Sequence, residues 1–257
     1  MEFKIGWHSD IGMRKSTNQD SLAIVEMQTP DGTVLMAMIC DGMGGLEKGE
    51  LASATIIHTF TKWFEQEFPK IYQNGELDSE IGYQWRRMIK SLNQTIAQYG
   101  QDRHIHLGST ITIIIFLPNG HYIIAHVGDT RIYRITDFDI QALTEDQTVV
   151  AEEVRKGKLT PQQADVDPRR NILLQCVGAS KVVEPVIIKG EYKEAESYLL
   201  CSDGFRHVIS PETFMEKLKP SNITQESDIK TTLSYLVDLN IKRGESDNIS
   251  ALLVNIV

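Results

Sequence analysis

Two kinds of apolar pattern alternate in blocks along this chain: short strand-like runs, and longer stretches with helical spacing. Phe3 to Ser9 alternates as a strand, and Asp10 to Thr17 is a polar connection leading into Asn18-Gln19-Asp20. Ser21 to Val25 and Thr33 to Ile39 are strand-like and flank Asp31-Gly32, which reads as a hairpin turn. From Leu46 to Phe68 apolar residues recur every third or fourth position, Leu51, Ala54, Ile57, Phe60 and Phe64 among them. This predicts a long amphipathic helix that Pro69 ends. A second helix is predicted from about Ser79 to Gly100, with Ile81, Trp85, Met88, Ile89, Leu92 and Ile96 on one face, packed beside the first.

After Gly108 the pattern changes to β-branched runs: Thr110 to Leu117, Tyr122 to Val127, Thr130 to Ile135 and Ile140 to Leu143. Pro118-Asn119-Gly120, Gly128-Asp129 and Asp137 separate them, an order that predicts an antiparallel meander. Thr144 to Leu173 is polar and helix-like, broken at Pro161 and Pro168. Val183 to Lys189 and Glu196 to Cys201 return to strand, and helices follow from Pro211 to about Leu218 and from Asp228 to Lys242. Asn248 to Val257 closes as an alternating strand. Strand-rich blocks set apart from helical pairs imply an α+β fold, with sheets in the middle and helices outside.

Composition narrows the function. With 257 residues and no Pro/Gly/Ser-rich linker, one domain over residues 1–257 is expected. A net charge of −9 argues against nucleic acid or an anionic membrane surface as a partner, and fits carboxylates gathered for a metal. No run approaches the about 20 apolar residues of a membrane helix. Met1-Glu2-Phe3-Lys4 lacks the layout of a signal peptide, so a cytoplasmic protein is expected. Cys40, Cys176 and Cys201 show neither metal-binding nor disulfide spacing.

The chemistry concentrates at Cys40-Asp41-Gly42-Met43-Gly44-Gly45, where a buried run ends on a carboxylate and then on glycines. Asp-Gly alone is often only a turn, as at Asp31-Gly32. Asp41, however, has no partner strand directly after it and leads into a helix. Asp203 and Asp129 likewise stand where apolar runs stop, while Asp20 and Asp247 stand just before strands begin. If these ends share one rim, mutual repulsion raises their pKa values or demands a cation. All-oxygen ligation suits Mg²⁺ or Mn²⁺, and a carboxylate bridging two such ions makes a site for in-line displacement at phosphorus.

These residues resemble the metal-dependent protein serine/threonine phosphatases of type 2C in their bacterial form. The match runs in order through Asn18-Gln19-Asp20-Ser21, Asp41-Gly42-Met43-Gly44-Gly45, Gly49-Glu50-Leu51-Ala52-Ser53, Gly108-Ser109-Thr110, His126-Val127-Gly128-Asp129-Thr130-Arg131, Cys201-Ser202-Asp203-Gly204 and Asp247-Asn248. The resemblance implies a four-layer α/β/β/α arrangement, an antiparallel β-sandwich flanked by helical pairs, with two Mn²⁺ or Mg²⁺ ions at one end. It implies that Asp41 bridges both metals, the Gly42 carbonyl binds one, and Asp203 and Asp247 complete the coordination of the second metal. Asp20 would act through metal-held water, and Asp129 would help bind a third metal. Water or hydroxide between the ions would attack phosphoserine or phosphothreonine directly, without a phosphoenzyme. Asp41, Asp203, Asp247 and Asp20 are thus the catalytic set. The implied partners are phosphoproteins modified by a cognate serine/threonine kinase, and a monomer is expected.

Two departures from the family pattern stand out. Lys15 occupies the position of the family's phosphate-gripping arginine, with Arg14 one residue before it; lysine keeps the charge but loses the bidentate fork. Neighbours in an extended segment point oppositely, so the two do not substitute for each other without a local shift. Met43 stands where animal members have a histidine proposed as general acid, which leaves metal-bound water to protonate the leaving alkoxide. Residues from about 144 to 180 resemble the mobile flap of the family. Arg169-Arg170 reads as a solvated pair, with contact to an acidic substrate the sharper alternative. His104-x-His106 lacks a third ligand.

Gly42-x-Gly44 mimics the start of a dinucleotide fingerprint, but Glu47 occupies the third glycine's place and Asp41 would repel a pyrophosphate. A catalytically weak or inactive sensor on the same fold would be expected to lack several of the metal carboxylates, and this chain has them all.

Overall fold

The computed structural model describes residues 1–43, 48–74 and 77–257. The strands are β1 (Phe3–Asp10), β2 (Asp20–Thr29), β3 (Gly32–Asp41), β4 (Ile111–Phe116), β5 (His121–Val127), β6 (Arg131–Ile135), β7 (Ile140–Ala142), β8 (Val186–Glu191), β9 (Ser197–Cys201) and β10 (Ile249–Ile256). They form two antiparallel five-stranded sheets, in the orders β2-β3-β4-β5-β8 and β1-β10-β9-β6-β7. Helices α1 (Gly49–Gln66), α2 (Phe68–Asn74) and α3 (Leu77–Arg103) cover the first sheet. The second sheet is covered by α6 (Asp203–Arg206), α7 (Pro211–Leu218) and α8 (Glu226–Lys242). Between β7 and β8 the chain forms α4 (Val149–Arg155) and α5 (Pro161–Val166).

Three apolar layers explain why β3 is a continuous hydrophobic run. Val34, Met36, Met38 and Cys40 face the helices, whereas Leu35, Ala37 and Ile39 face the other sheet. A strand buried on both faces cannot alternate with polar residues. β10 divides in the same way, with Ile249, Ala251 and Leu253 toward α8 and Leu252, Val254 and Ile256 between the sheets. The expected α+β sandwich with outer helices is therefore what forms.

Two expectations change. The runs after Gly108 are not one meander: β4 and β5 pair in the first sheet, while β6 and β7 belong to the second. The corner is Gly128, whose φ of +108° suits glycine and lets the chain leave one sheet for the other. Apolar alternation looks the same in either sheet, so it does not record the crossing. Pro69 does not simply end helical structure. α1 stops at Gln66, and Pro69 lies in the first turn of α2, where its missing N–H has no partner to lose.

α1 and α3 meet through aromatic side chains. Trp85 is fully buried, 6.1 Å from the Phe60 ring and 5.7 Å from Trp63. Trp85→Ala is expected to lower unfolding free energy by about 3–5 kcal/mol in urea titration. A loss below about 1 kcal/mol would mean that α3 is not part of the core.

Candidate active site

The five aspartates lie at one rim of the sandwich because strand ends from both sheets meet there. Asp41 ends β3, Asp20 begins β2, and the two are register partners. Asp129 sits in the corner between β5 and β6, two residues before Arg131, which pairs with Cys201 at the end of β9. Asp203 follows as the first residue of α6, and Asp247 lies just before β10, whose Ala251 also pairs with Cys201.

Their proton affinities record the crowding. Both Asp20 carboxylate oxygens are buried without a hydrogen-bond partner. Burial, and then the charges of Asp203 and Asp247, push its pKa up to about 7, although the Ser250 and Ser202 hydroxyls offset part of the shift. Asp41 is raised well above the carboxylate range by desolvation, followed by Asp20, Asp203, Asp129 and Asp247. Asp129 reaches about 7 through burial and Asp203, with Arg206 pulling the other way.

Lys15 points into this cluster, its Nζ 2.6 Å from Asp247 Oδ1. Burial opposes its charge, but Asp247, Asp41 and Asp203 together raise its pKa. Arg14 is exposed, and residues 12–14 form a turn rather than the extended segment expected. Arg169 is not free for a substrate: it pairs with Asp167 at 2.8 Å and Glu153 at 2.9 Å.

Backbone clamps hold the rim together. The Gly42 N–H donates to the Gln19 carbonyl, and a Cβ on Gly42 would lie 2.5 Å from the Gly49 carbonyl oxygen and 2.6 Å from that of Gln19. The glycine at Asp41-Gly42 is thus required by chain packing, whatever its carbonyl binds. Asn248 Oδ1 accepts the Gln19 N–H at 2.9 Å, while its Nδ2 donates to the carbonyls of Ile11 and Thr17. Gly44, Gly45 and Glu47 lie outside the described residues, as does the expected helix start at Leu46.

Sequence reading left a second tier of residues without roles. His207 sits between Asp203 Oδ2, 3.4 Å from Nε2, and Glu245 Oε2, 3.3 Å from Nδ1. Glu245 Oε1 in turn accepts the N–H groups of Ser246 and Asp247. Arg206 donates to the Asp129 carbonyl and to Asp146, each at 2.9 Å, and lies 4.0 Å from Asp129 Oδ2. Arg131 grips Asp146 with two hydrogen bonds of 2.6 and 2.8 Å. Asp203 and His207 stand at i, i+4 and Glu245 stands two residues before Asp247, whereas the acidic partners of Arg131 and Arg206, and Glu245 as partner of His207, are distant along the chain. Among the described residues, no three His, Cys, Asp or Glu side chains form a ready-made metal cage.

Comparison with known proteins accords with this geometry. A family model described as protein phosphatase 2C matches residues 13–238. A putative protein phosphatase 2C-type of Streptococcus pyogenes is 30% identical over 253 residues, covering 98% of this chain and 97% of that protein. The serine/threonine protein phosphatase PstP of Mycobacterium tuberculosis is 29% identical over 97% of this chain, which spans only 44% of PstP's length. The S. agalactiae serine/threonine phosphatase superposes with a TM-score of 0.85 at 31% identity, over 100% of both chains. The PstP catalytic domain in complex with two manganese ions gives a TM-score of 0.78 at 26% identity, over 99% of this chain and 98% of that one. With its fold, its motifs and most of its length in common with them, the chain belongs to the protein phosphatase 2C family.

Proposed function

We propose that these 257 residues form one catalytic domain that hydrolyses phosphoserine and phosphothreonine in proteins, with two Mn²⁺ or Mg²⁺ ions held at the aspartate rim. The observation that carries this reading is the convergence of five carboxylates from separate segments, with both Asp20 oxygens buried and unpartnered. An all-oxygen donor set fits hard divalent cations, and the two manganese ions in the PstP catalytic domain support the same reading. With no ready-made cage, binding would require the carboxylates to close inward.

Asp41 would bridge the ions, the Gly42 carbonyl would bind one, and Asp203 and Asp247 would be ligands of the second ion. Asp20 would orient water beside them. When bound, the ions supply a lowered pKa for attacking water and positive charge for in-line displacement at phosphorus. The Lys15 ammonium, already directed at the cluster, would meet the phosphate as a point charge, while Arg14 faces solvent. His207 and Glu245 would hold Asp203 and the Asp247 backbone in place. A third ion at Asp129 would compete with the Arg206 guanidinium, which favours two. The targets would be proteins phosphorylated by a cognate serine/threonine kinase, and the site of action the cytoplasm.

Hydrolysis of a generic aryl phosphate should depend on Mn²⁺. Asp41→Asn should lower kcat by several orders of magnitude with the circular dichroism spectrum unchanged. Two bound ions without turnover would favour an inactive interaction module; loss of folding in Asp41→Asn would make that residue structural.

Stability of the metal-free protein should also depend on pH in a defined direction. Asp20 and Asp129 titrate at about 7 in the fold, against about 3.9 in an unfolded chain. Their contribution is fully present below pH about 4 and is lost as pH rises through about 7. Metal-free melting temperature should therefore fall between pH 5 and 8, and saturating Mn²⁺ should remove that fall. A metal-free melting temperature that climbs throughout this range would contradict the crowding of the rim.

A further inference from the structure

Beneath the rim lies a buried polar side chain that the proposed chemistry does not use. His126 on β5 is 1% exposed, with both ring nitrogens engaged. Nε2 lies 3.0 Å from the Glu145 carbonyl, and Nδ1 lies 2.8 Å from Thr112 Oγ1 on β4. A carbonyl only accepts, so Nε2 carries the proton. Burial holds the imidazole pKa down to about 4, against the pull of the Glu145 carbonyl and the Asp146 carboxylate, so the ring is neutral near pH 7. Nδ1 must then accept, and Thr112 donates to it. The Thr130 carbonyl, 3.2 Å from the same hydroxyl, competes for that proton. A buried Nδ1 without a donor is the costlier outcome.

With its proton committed, Thr112 Oγ1 accepts from Thr130 Oγ1 at 2.6 Å. Thr130 Oγ1, its proton given to Thr112, packs 3.4 Å from Thr110 Oγ1, which accepts the Asp41 backbone N–H at 2.8 Å. A second connection runs beside the first. Gln147 N–H donates to the Gly128 carbonyl at 2.8 Å, and Gly128 N–H donates to Gln147 Oε1 at 2.9 Å. Gly128 presses so closely on Thr110 that a Cβ there would come within 2.5 Å of Thr110 Cγ2. Glu145 and Gln147, at the start of the segment from 144 to 180, are thus joined through β5 and β4 to the end of β3.

We propose that His126 is a positioning residue: as a fixed Nε2–H tautomer, with Thr112 and Thr130, it ties the Glu145 carbonyl to the strand end that carries Asp41, and so keeps the 144–180 segment and Asp41 in register. This rests on the proposed chemistry only through the role of Asp41; the direction of the hydrogen bonds stands without it. A histidine that merely filled core space would need neither one tautomer nor a threonine hydroxyl.

Nitrogen-15 NMR on the whole chain, together with Thr112→Val and Thr112→Ser, tests it. The wild type should show a neutral Nε2–H imidazole from pH 8 down to pH 5. Thr112→Val keeps the shape and removes the donor, so kcat and Mn²⁺ affinity should each fall about tenfold. Amide exchange at Gln147, whose N–H is bonded to the Gly128 carbonyl, should accelerate, and Thr112→Ser should restore all three properties. An Nδ1–H tautomer in the wild type overturns the proposal. So does a Thr112→Val protein that melts earlier but keeps wild-type Mn²⁺ affinity and wild-type exchange at Gln147. If the wild type shows no turnover, the phosphatase reading fails, and the tautomer and exchange measurements still decide this one.

Discussion

Repulsion among carboxylates at the end of a low-dielectric sandwich is the constraint to which the rest of the site responds. Asp41 is raised by four other aspartates at once, and the Ser250 and Ser202 hydroxyls offset only part of the burial of Asp20. Left in the fold without compensation, such a cluster favours bound protons or nearby cations. The chain supplies some positive charge itself, through Lys15 against Asp247 and Arg206 between Asp129 and Asp146. Divalent ions would supply the rest, and the same charge would draw a phosphate dianion to the rim.

That crowding persists because the sandwich leaves the strand ends little room to separate. β3 is packed on both faces, so its last residue is fixed by side chains along its whole length. On the opposite sheet, β9 and β10 are fixed the same way, and their register brings Asp203 and Asp247 to the same level. Short clamps then fix the strand ends: Gly42 to Gln19 within the first sheet, and Asn248, before β10 of the second sheet, to Gln19, before β2 of the first, and to Ile11 and Thr17. Moving one carboxylate therefore displaces backbone shared with the others.

Much of this was legible in the sequence, and the parts that were not have physical reasons. Continuous apolar runs ending on Asp41 and Asp203 marked strands buried on both faces, and the order of the motifs marked the family. In place of the extended segment expected at Arg14 and Lys15 there is a turn over residues 12–14, and it is the ion pair with Asp247 that brings Lys15 to the rim. The crossing at Gly128 was hidden because strands of either sheet face the same apolar layer. The roles of His207, Glu245, Arg206 and His126 were hidden because each depends on a partner many residues away or on a hydrogen-bond direction. Arg169 read as part of a solvated pair, and its ion pairs with Asp167 and Glu153 carried no motif to mark them.

The claim on which the others depend is that the aspartate rim, and no other part of the molecule, holds the ions. Anomalous diffraction at the manganese edge from crystals soaked in Mn²⁺ tests it most directly. The expected result is two peaks ligated around Asp41, with Asp203 and Asp247 drawn toward them and Arg206 still beside Asp129. Full-occupancy peaks elsewhere, with none at Asp41, would contradict it.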